Sequence, residues 1–324
     1  MPAVTTERVH LSVAEARALS ERAMRGIGYE PEEARILADH VIDAALCGYE
    51  YSGLAKLLNV AEHPRFKAGH RPMRALKETS VSVLFDGGNQ SGMLAMYHAT
   101  REVIERAQAH GVAIVGVNNI WMSGRSAYYV EMVARAGLVG IHTVAAPPMV
   151  APLGGARAAL GTNPIAFGFP MEGEPLVIDL GTSAFMGTDL KFRERLGIPL
   201  PEGVAIDEHG RPTTDAGAAR RGAILPFGGH KGYALALACT RSACSVVGCL
   251  IKRARGTCSS RSSQICSCPR KTTGAPWPRR SPRSRRRRGR RVSTRSASPA
   301  SARIGSASAS PARASRSTGA SRTR

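Results

Sequence analysis

From Arg241 to Arg324 the chain contains no aspartate or glutamate, so all 24 acidic residues lie before the break. Of the 45 lysines and arginines, 22 fall within those last 84 residues. Residues 1–240 therefore carry 23 basic against 24 acidic side chains, and the whole formal charge of +21 belongs to the end of the chain. Only the first part has the composition of a globular body. A segment dominated by Arg, Ser, Ala and Pro buries too little apolar surface to offset the cost of ordering, so 241–324 is expected to be a disordered or aberrant, low-complexity basic tail.

Two origins account for such a tail. It starts inside an apolar helical run, 232–239, with no linker or helix stop before it, and domain boundaries seldom fall in such places. A shift of reading frame in a GC-rich gene gives this switch, because out-of-frame GC-rich codons encode mostly Arg, Ser, Pro, Ala, Gly and Cys. The alternative is a genuine basic tail on a non-catalytic protein, whose clustered guanidinium groups bind nucleic acid or another polyanion by releasing counterions.

The first 240 residues suffice for one large or two small domains with a substantial core. Residues 1–13 lack the apolar stretch of a secretory signal, and no run of eighteen apolar residues suggests a membrane span. Of seven cysteines only Cys47 and Cys239 precede the break, which fits a reducing cytoplasm. Those beyond it match no common zinc spacing, and no metal is expected.

Mixed α and β text fills the body. Ser12, with Glu15 three residues on, starts a helix to about Arg25, and Pro31 opens a second through about Leu46. An alternating strand at 81–85 leads through Asp86-Gly87-Gly88-Asn89 into a long helix, 91–110, closed by Gly111. Strands are expected at 112–117, 138–144, 165–169 and 176–180, with a helix near 126–136 between the first two. The expected division is a helical part over 1–75, an α/β cofactor-binding part over 76–240, and the tail. No G-x-G-x-x-G opens a helix after a strand, so a Rossmann domain is not expected.

Three connections carry the chemistry. Gly161-Thr162-Asn163-Pro164 presents a hydroxyl and an amide before a strand, either for a polar ligand or only to close its own turn. Asp179-Leu180-Gly181-Thr182-Ser183 sets a carboxylate and two hydroxyls at a strand end, which suits a ribose or phosphate as well as it suits a capped turn. Pro226-Phe227-Gly228-Gly229-His230-Lys231-Gly232 gathers glycines and two cationic donors before a helix, an arrangement fit for a nucleotide phosphate.

Taken together, VAPLGGARAALGTNPIAFGFP over 150–170, VIDLGTSA over 177–184 and PFGGHKGYALAL over 226–237 resemble the malate/L-lactate dehydrogenase family of NAD(P)-dependent oxidoreductases. This group includes ureidoglycolate dehydrogenase and diketogulonate reductase, and the similarity spans about residues 8–240. The resemblance implies a homodimer, a non-Rossmann mixed-sheet α/β cofactor domain, a helical domain built from both chain ends, and hydride transfer between NAD or NADP and C2 of a small 2-hydroxy or 2-oxo acid. It implies Thr162, Asn163, Asp179, Thr182, Ser183, Gly229, His230 and Lys231 as cofactor-binding residues. C-terminal residues of the family help to close the cofactor site, so a chain altered from 241 is expected to fold poorly or expose an apolar face and to bind cofactor weakly or not at all, with loss of activity as one outcome.

Departures from the family fall on the proton-transfer residues. Many members carry Ser-His-Gly after the second helix, whereas Tyr51-Ser52-Gly53 stands here, and Lys56 replaces an arginine expected to face the substrate carboxylate. A second family histidine is replaced by Met122. Reduction of a 2-oxo acid needs a cation for the carboxylate, a donor to the developing alkoxide, and close positioning of the reacting carbons. Lys56 is the expected cation, and the donor is sought among Tyr51, Ser52 and Tyr128, with Tyr51 preferred because a neighbouring cation can tune a phenol. Packing at a helix end is the other reading of Tyr51. His40, His63, His70, His98, His110 and His142 are expected to be packed or solvated imidazoles.

Overall fold

A computed structural model describes residues 9–241 and the backbone of a strand at 246–252. The expected division at 240 is crossed by that strand. Seven residues from beyond the composition break, Val246–Lys252, pair within the main sheet, whereas the other expectations for the tail fall outside the described residues.

The N-terminal helices form as their caps predict. Helix α1 (Val13–Gly26) begins at Ser12, whose hydroxyl accepts the Glu15 N–H while the Glu15 carboxylate accepts the Ser12 N–H at 2.8 Å. Helix α2 (Pro31–Leu46) starts with proline at its first position and acidic residues in its first turn. A 3-10 turn at Glu50–Ser52, helix α3 (Ala55–Ala61) and the single turn α4 (Pro64–Lys67) follow. Met24, Tyr29, Ile36, Leu37, Val41, Leu57 and Val60 bury one face of this layer against Met93, Leu94 and Trp121.

Strands β1 (Arg74–Glu78), β2 (Ser82–Asp86), β3 (Val112–Asn118), β4 (Leu138–Val144), β5 (Ile165–Phe169), β6 (Leu176–Leu180) and the late strand are the seven strands of one sheet. With β7 (Ala205–Ile206) and β8 (Ala223–Ile224) paired separately, the late strand is β9, and the order is β1-β2-β3-β9-β4-β5-β6. Among the described residues β2–β3 is the only neighbouring pair in this sheet that is parallel; the other neighbours are antiparallel. The sheet is therefore not a doubly wound dinucleotide fold, as the missing glycine fingerprint predicts.

Helices α5 (Gly92–His110) and α6 (Ser126–Arg135) cover one face of this sheet, joining Val83, Ala113, Val115, Val117 and Leu138 in a single core. Close approach of α6 is set by glycine: a Cβ at Gly168 on β5 would lie 2.2 Å from the Val130 carbonyl oxygen. Beyond β6, helices α7 (Gly187–Leu196) and α8 (Ala216–Arg221) pack with Val150, Leu160, Leu200 and Ile224 around a smaller core. Helix α9 (His230–Arg241) adds Ala236 to that core. No helix among the described residues is long and apolar enough to cross a membrane.

Candidate functional site

The three motif-bearing connections meet. The Thr162 carbonyl accepts both the backbone N–H and the hydroxyl of Thr182, at 3.0 and 2.9 Å. Phe227 N–H donates to the Thr182 carbonyl at 3.0 Å, and Ala184 N–H to that of Leu225 at 2.7 Å. Asn163, fully buried with φ +34°, accepts the Ala146 N–H at 2.9 Å and donates to the Ala236 carbonyl and the Thr240 hydroxyl at 2.9 and 2.8 Å. Its amide thus ties α9 to the start of β5. Ser183 donates to the Phe185 carbonyl at 2.7 Å.

Residues expected to bind cofactor therefore divide by what they do. Thr162, Asn163, Thr182 and Ser183 are buried and build the junction. Gly229, His230 and Lys231 start α9 at its surface, with Gly228 and Gly229 at φ +54° and +60°. A Cβ at Gly232 would fall 2.3 Å from the Phe227 carbonyl oxygen and 2.4 Å from that of Thr182, so only glycine lets the helix begin this close. The N–H groups of Lys231 and Gly232 are taken by Gly228 and Phe227 carbonyls. Anion attraction here rests on the two side chains and the positive end of a twelve-residue helix. This donor set fits a phosphate.

Lys56, Tyr51 and Asp179 belong to a second group. Lys56 is only 4% exposed, its Nζ donates to the Thr188 hydroxyl at 3.3 Å, and no carboxylate pairs with it among the described residues. Burial, helped by the charge of Lys191, pulls its ammonium down to about 8. Half-buried Tyr51 moves the opposite way from the tuning expected of it: burial and the charges of Asp189, Tyr49 and Asp179 push its phenol up to about 12 and outweigh Arg125. Ser52, 9% exposed, closes the 3-10 turn through its N–H to the Tyr49 carbonyl at 3.0 Å. Asp179 accepts the Ala127 N–H at 2.8 Å at the start of α6, and burial raises its carboxyl against that bond and against Arg125.

Arg125 escaped the sequence reasoning, and His40 entered it only as a packed or solvated imidazole. Arg125, its side chain 11% exposed, forms an ion pair with Asp43 and lies over the Tyr49 ring at 6.0 Å, while its Nε is buried without a partner. Its backbone N–H donates to His40 Nε2 at 2.9 Å. His40, 1% exposed, packs its ring 4.6 Å from Tyr128 and 5.6 Å from Tyr129. Burial, then the charges of Lys56, Arg125 and His142, take its imidazole down to about 3. A Cβ at Gly124 would stand 2.1 Å from His40 Nε2. The visible signal was position: His40 lies on the stripe of α2 that buries Ile36, Leu37, Val41 and Ala44.

The segment before Arg125 is held under strain. Asn119 and Met122 adopt φ +53° and +56°, and Arg65 pins the bend by donating to Asn89 Oδ1, the Ile120 carbonyl and Asn119 Oδ1 at 2.6, 2.9 and 2.7 Å. His63 stacks on Trp121 at 4.3 Å, so its imidazole is packing. No cluster of His, Cys, Asp and Glu that could hold a metal occurs among the described residues.

Comparison with known proteins agrees with this architecture. The profile of the malate/L-lactate dehydrogenase family matches residues 11–249. Malate/(S)-sulfolactate dehydrogenase of Methanothermus fervidus is 36% identical over 229 residues, covering 69% of this chain and 67% of that protein. A Δ1-pyrroline-2-carboxylate/Δ1-piperideine-2-carboxylate reductase of Pseudomonas aeruginosa is 34% identical over 231 residues, covering 70% and 69%. The crystal structure of a dehydrogenase from Sinorhizobium meliloti superimposes with a TM-score of 0.71 at 31% identity, over 78% of this chain and 81% of the other. The chain spans about two thirds of the length of the curated relatives it matches, 61% for an L-sulfolactate dehydrogenase of Methanothermobacter thermautotrophicus.

Proposed function

Because the chain belongs to the malate/L-lactate dehydrogenase family, we propose that it transfers hydride between a nicotinamide cofactor, NAD or NADP, and C2 of a small 2-hydroxy or 2-oxo acid. The observation that carries this reading is Lys56: an ammonium 4% exposed, without a carboxylate partner among the described residues and held by Thr188. A buried cation is costly unless something pairs with it, and a substrate carboxylate is the partner that fits. The relatives' names, malate/(S)-sulfolactate dehydrogenase and pyrroline-2-carboxylate reductase, share a carboxylate beside the carbon that exchanges hydride.

Gly229, His230 and Lys231 would hold the cofactor's phosphates, on the junction that Thr162, Asn163, Thr182 and Ser183 build. When bound, the nicotinamide supplies or accepts the hydride. Lys56 orients the acid by its carboxylate, Tyr51 is a phenol that burial keeps toward its protonated form, and Asp179, which accepts the Ala127 N–H, stays with the cofactor-binding set. The working unit is taken to be a cytoplasmic homodimer, in keeping with free thiols at Cys47 and Cys239.

The test is turnover by the purified full-length chain. Loss of NADH or NADPH absorbance is followed against pyruvate and oxaloacetate, and its gain from NAD or NADP against their 2-hydroxy counterparts. Lys56→Met is expected to raise KM by roughly 30-fold, the equivalent of about 2 kcal/mol for one charge-assisted contact. An unchanged KM in that variant sinks the assignment of Lys56.

A further inference from the structure

Of the ionisable side chains of this group that the reading above leaves unused, His40 is a buried imidazole with an unpartnered ring nitrogen. Its Nε2 accepts the Arg125 N–H, so in the neutral ring the proton sits on Nδ1, and Nδ1 is buried with no hydrogen-bond partner. An orphaned buried donor costs about 1–3 kcal/mol. On a helix stripe of Ile36, Leu37, Val41 and Ala44, an apolar residue would avoid that cost. A polar group kept there at a loss points to an acceptor that arrives with a ligand.

The surroundings suit a neutral donor. Lys56 on α3 and Arg125 ahead of α6 act on the ring as positive charges, with His142 of β4 beyond them. Tyr128 and Tyr129 on α6 pack against it, and Asp39 and Asp43 share its own helix, engaged by Tyr128 and Arg125 respectively. Both cations oppose an imidazolium. A buried neutral imidazole donates to developing negative charge without being titrated itself. At the positions where a family histidine is expected, Ser52 and Met122 offer no such group.

We propose that His40 is a catalytic residue of this chain, its Nδ1–H donating to the C2 oxygen of the acid; the proposal rests on the hydride-transfer reading. As hydride adds to C2, the π pair of the C=O bond moves onto oxygen, where Nδ1–H holds the alkoxide. The alkoxide then takes a proton from water, and hydroxide leaves to solvent. Gly124 is part of the same device, since any Cβ there would displace the ring.

Two measurements on the full-length protein test this. With 15N-labelled histidine and saturating NADH, the Nδ1–H resonance of His40, assigned by its absence in His40→Gln, is expected to move downfield when oxamate, an unreactive 2-oxo acid analogue, is added. In His40→Gln, kcat is expected to fall about 10²- to 10³-fold while NADH affinity and Tm hold. A resonance that ignores oxamate, or a variant that keeps kcat within about 3-fold and changes only KM, makes His40 a support for Arg125 and overturns the proposal. A wild-type protein that turns over no 2-oxo acid with either cofactor defeats the functional reading first and takes this one with it.

Discussion

Single residues set two opposed responses to pH. Lys56 ionises near 8 in the fold against 10.5 ordinarily. Below 8 it is charged in both states and the fold carries the whole cost of burying it. Between 8 and 10.5 the fold sheds the proton first, so this group makes stability rise with pH. Tyr51 reverses the trend above 10, because the unfolded phenol ionises there while the buried one waits until about 12. Urea midpoints should therefore climb from pH 8 to about 10 and then fall, and Lys56→Met should remove the climb. His40 and His142, both near 3 when folded, act on the acid side: the unfolded imidazoles take up protons as pH drops through 6.5, and stability falls with it. Asn163→Ala should cost about 3 kcal/mol in the same assay, because it strands the Ala146 N–H and removes the two bonds that tie the start of β5 to α9, although Thr240 still donates to the Ala236 carbonyl; a loss under about 1 kcal/mol would contradict the bracing role. Sequence marked Asn163 through its Asn-Pro turn, and Lys56 because it stands where the family resemblance expects an arginine. It did not mark Arg125 and read His40 only as a packed or solvated imidazole, because their pairing arises from a contact 85 positions apart.

Elements were legible where their periodicity reports burial. Helices α1, α2, α5 and α6 and strands β3 to β6 lie within a residue or two of their expected limits; periodicity reports burial in the helices and in β3 and β4, whereas β6 is legible from its run of Leu, Val and Ile although Leu176, Ile178 and Leu180 are exposed. Strand β1 was missed: all five of its residues are exposed, so no alternation betrays it. Helices α7 and α8 were missed for a related reason, as α7 buries only Leu190 fully. The packing of α6 onto β5 was invisible because it depends on glycine rather than on an apolar side chain. Gly168→Val should destabilise the protein by about 3 kcal/mol or more by wedging these elements apart, whereas Gly26→Ala, where a Cβ meets nothing within 4 Å, should gain about 0.5 kcal/mol. Equal effects of the two on Tm would refute the close contact.

At the scale of the molecule, β9 carries the described sheet past the composition break. It pairs with β3 from Val112 to Val117 and with β4 from Leu138 to Val144, both antiparallel, and so bridges the two halves of the sheet. Composition could not foretell this, because Val246–Lys252 is a short apolar island inside text without acidic residues. A chain ended after Lys252 should melt cooperatively with near-UV dichroism close to that of the full chain. One ended after Arg241 should lose the transition and bind hydrophobic dyes, and a native-like melt there would show the sheet needs no bridge. The placement also has a consequence in time. The strand made last sits at the centre of the sheet, so while the chain is still being synthesised β1–β3 and β4–β6 wait as separate, open-edged pieces, and joining them closes loops of more than a hundred residues in one late step.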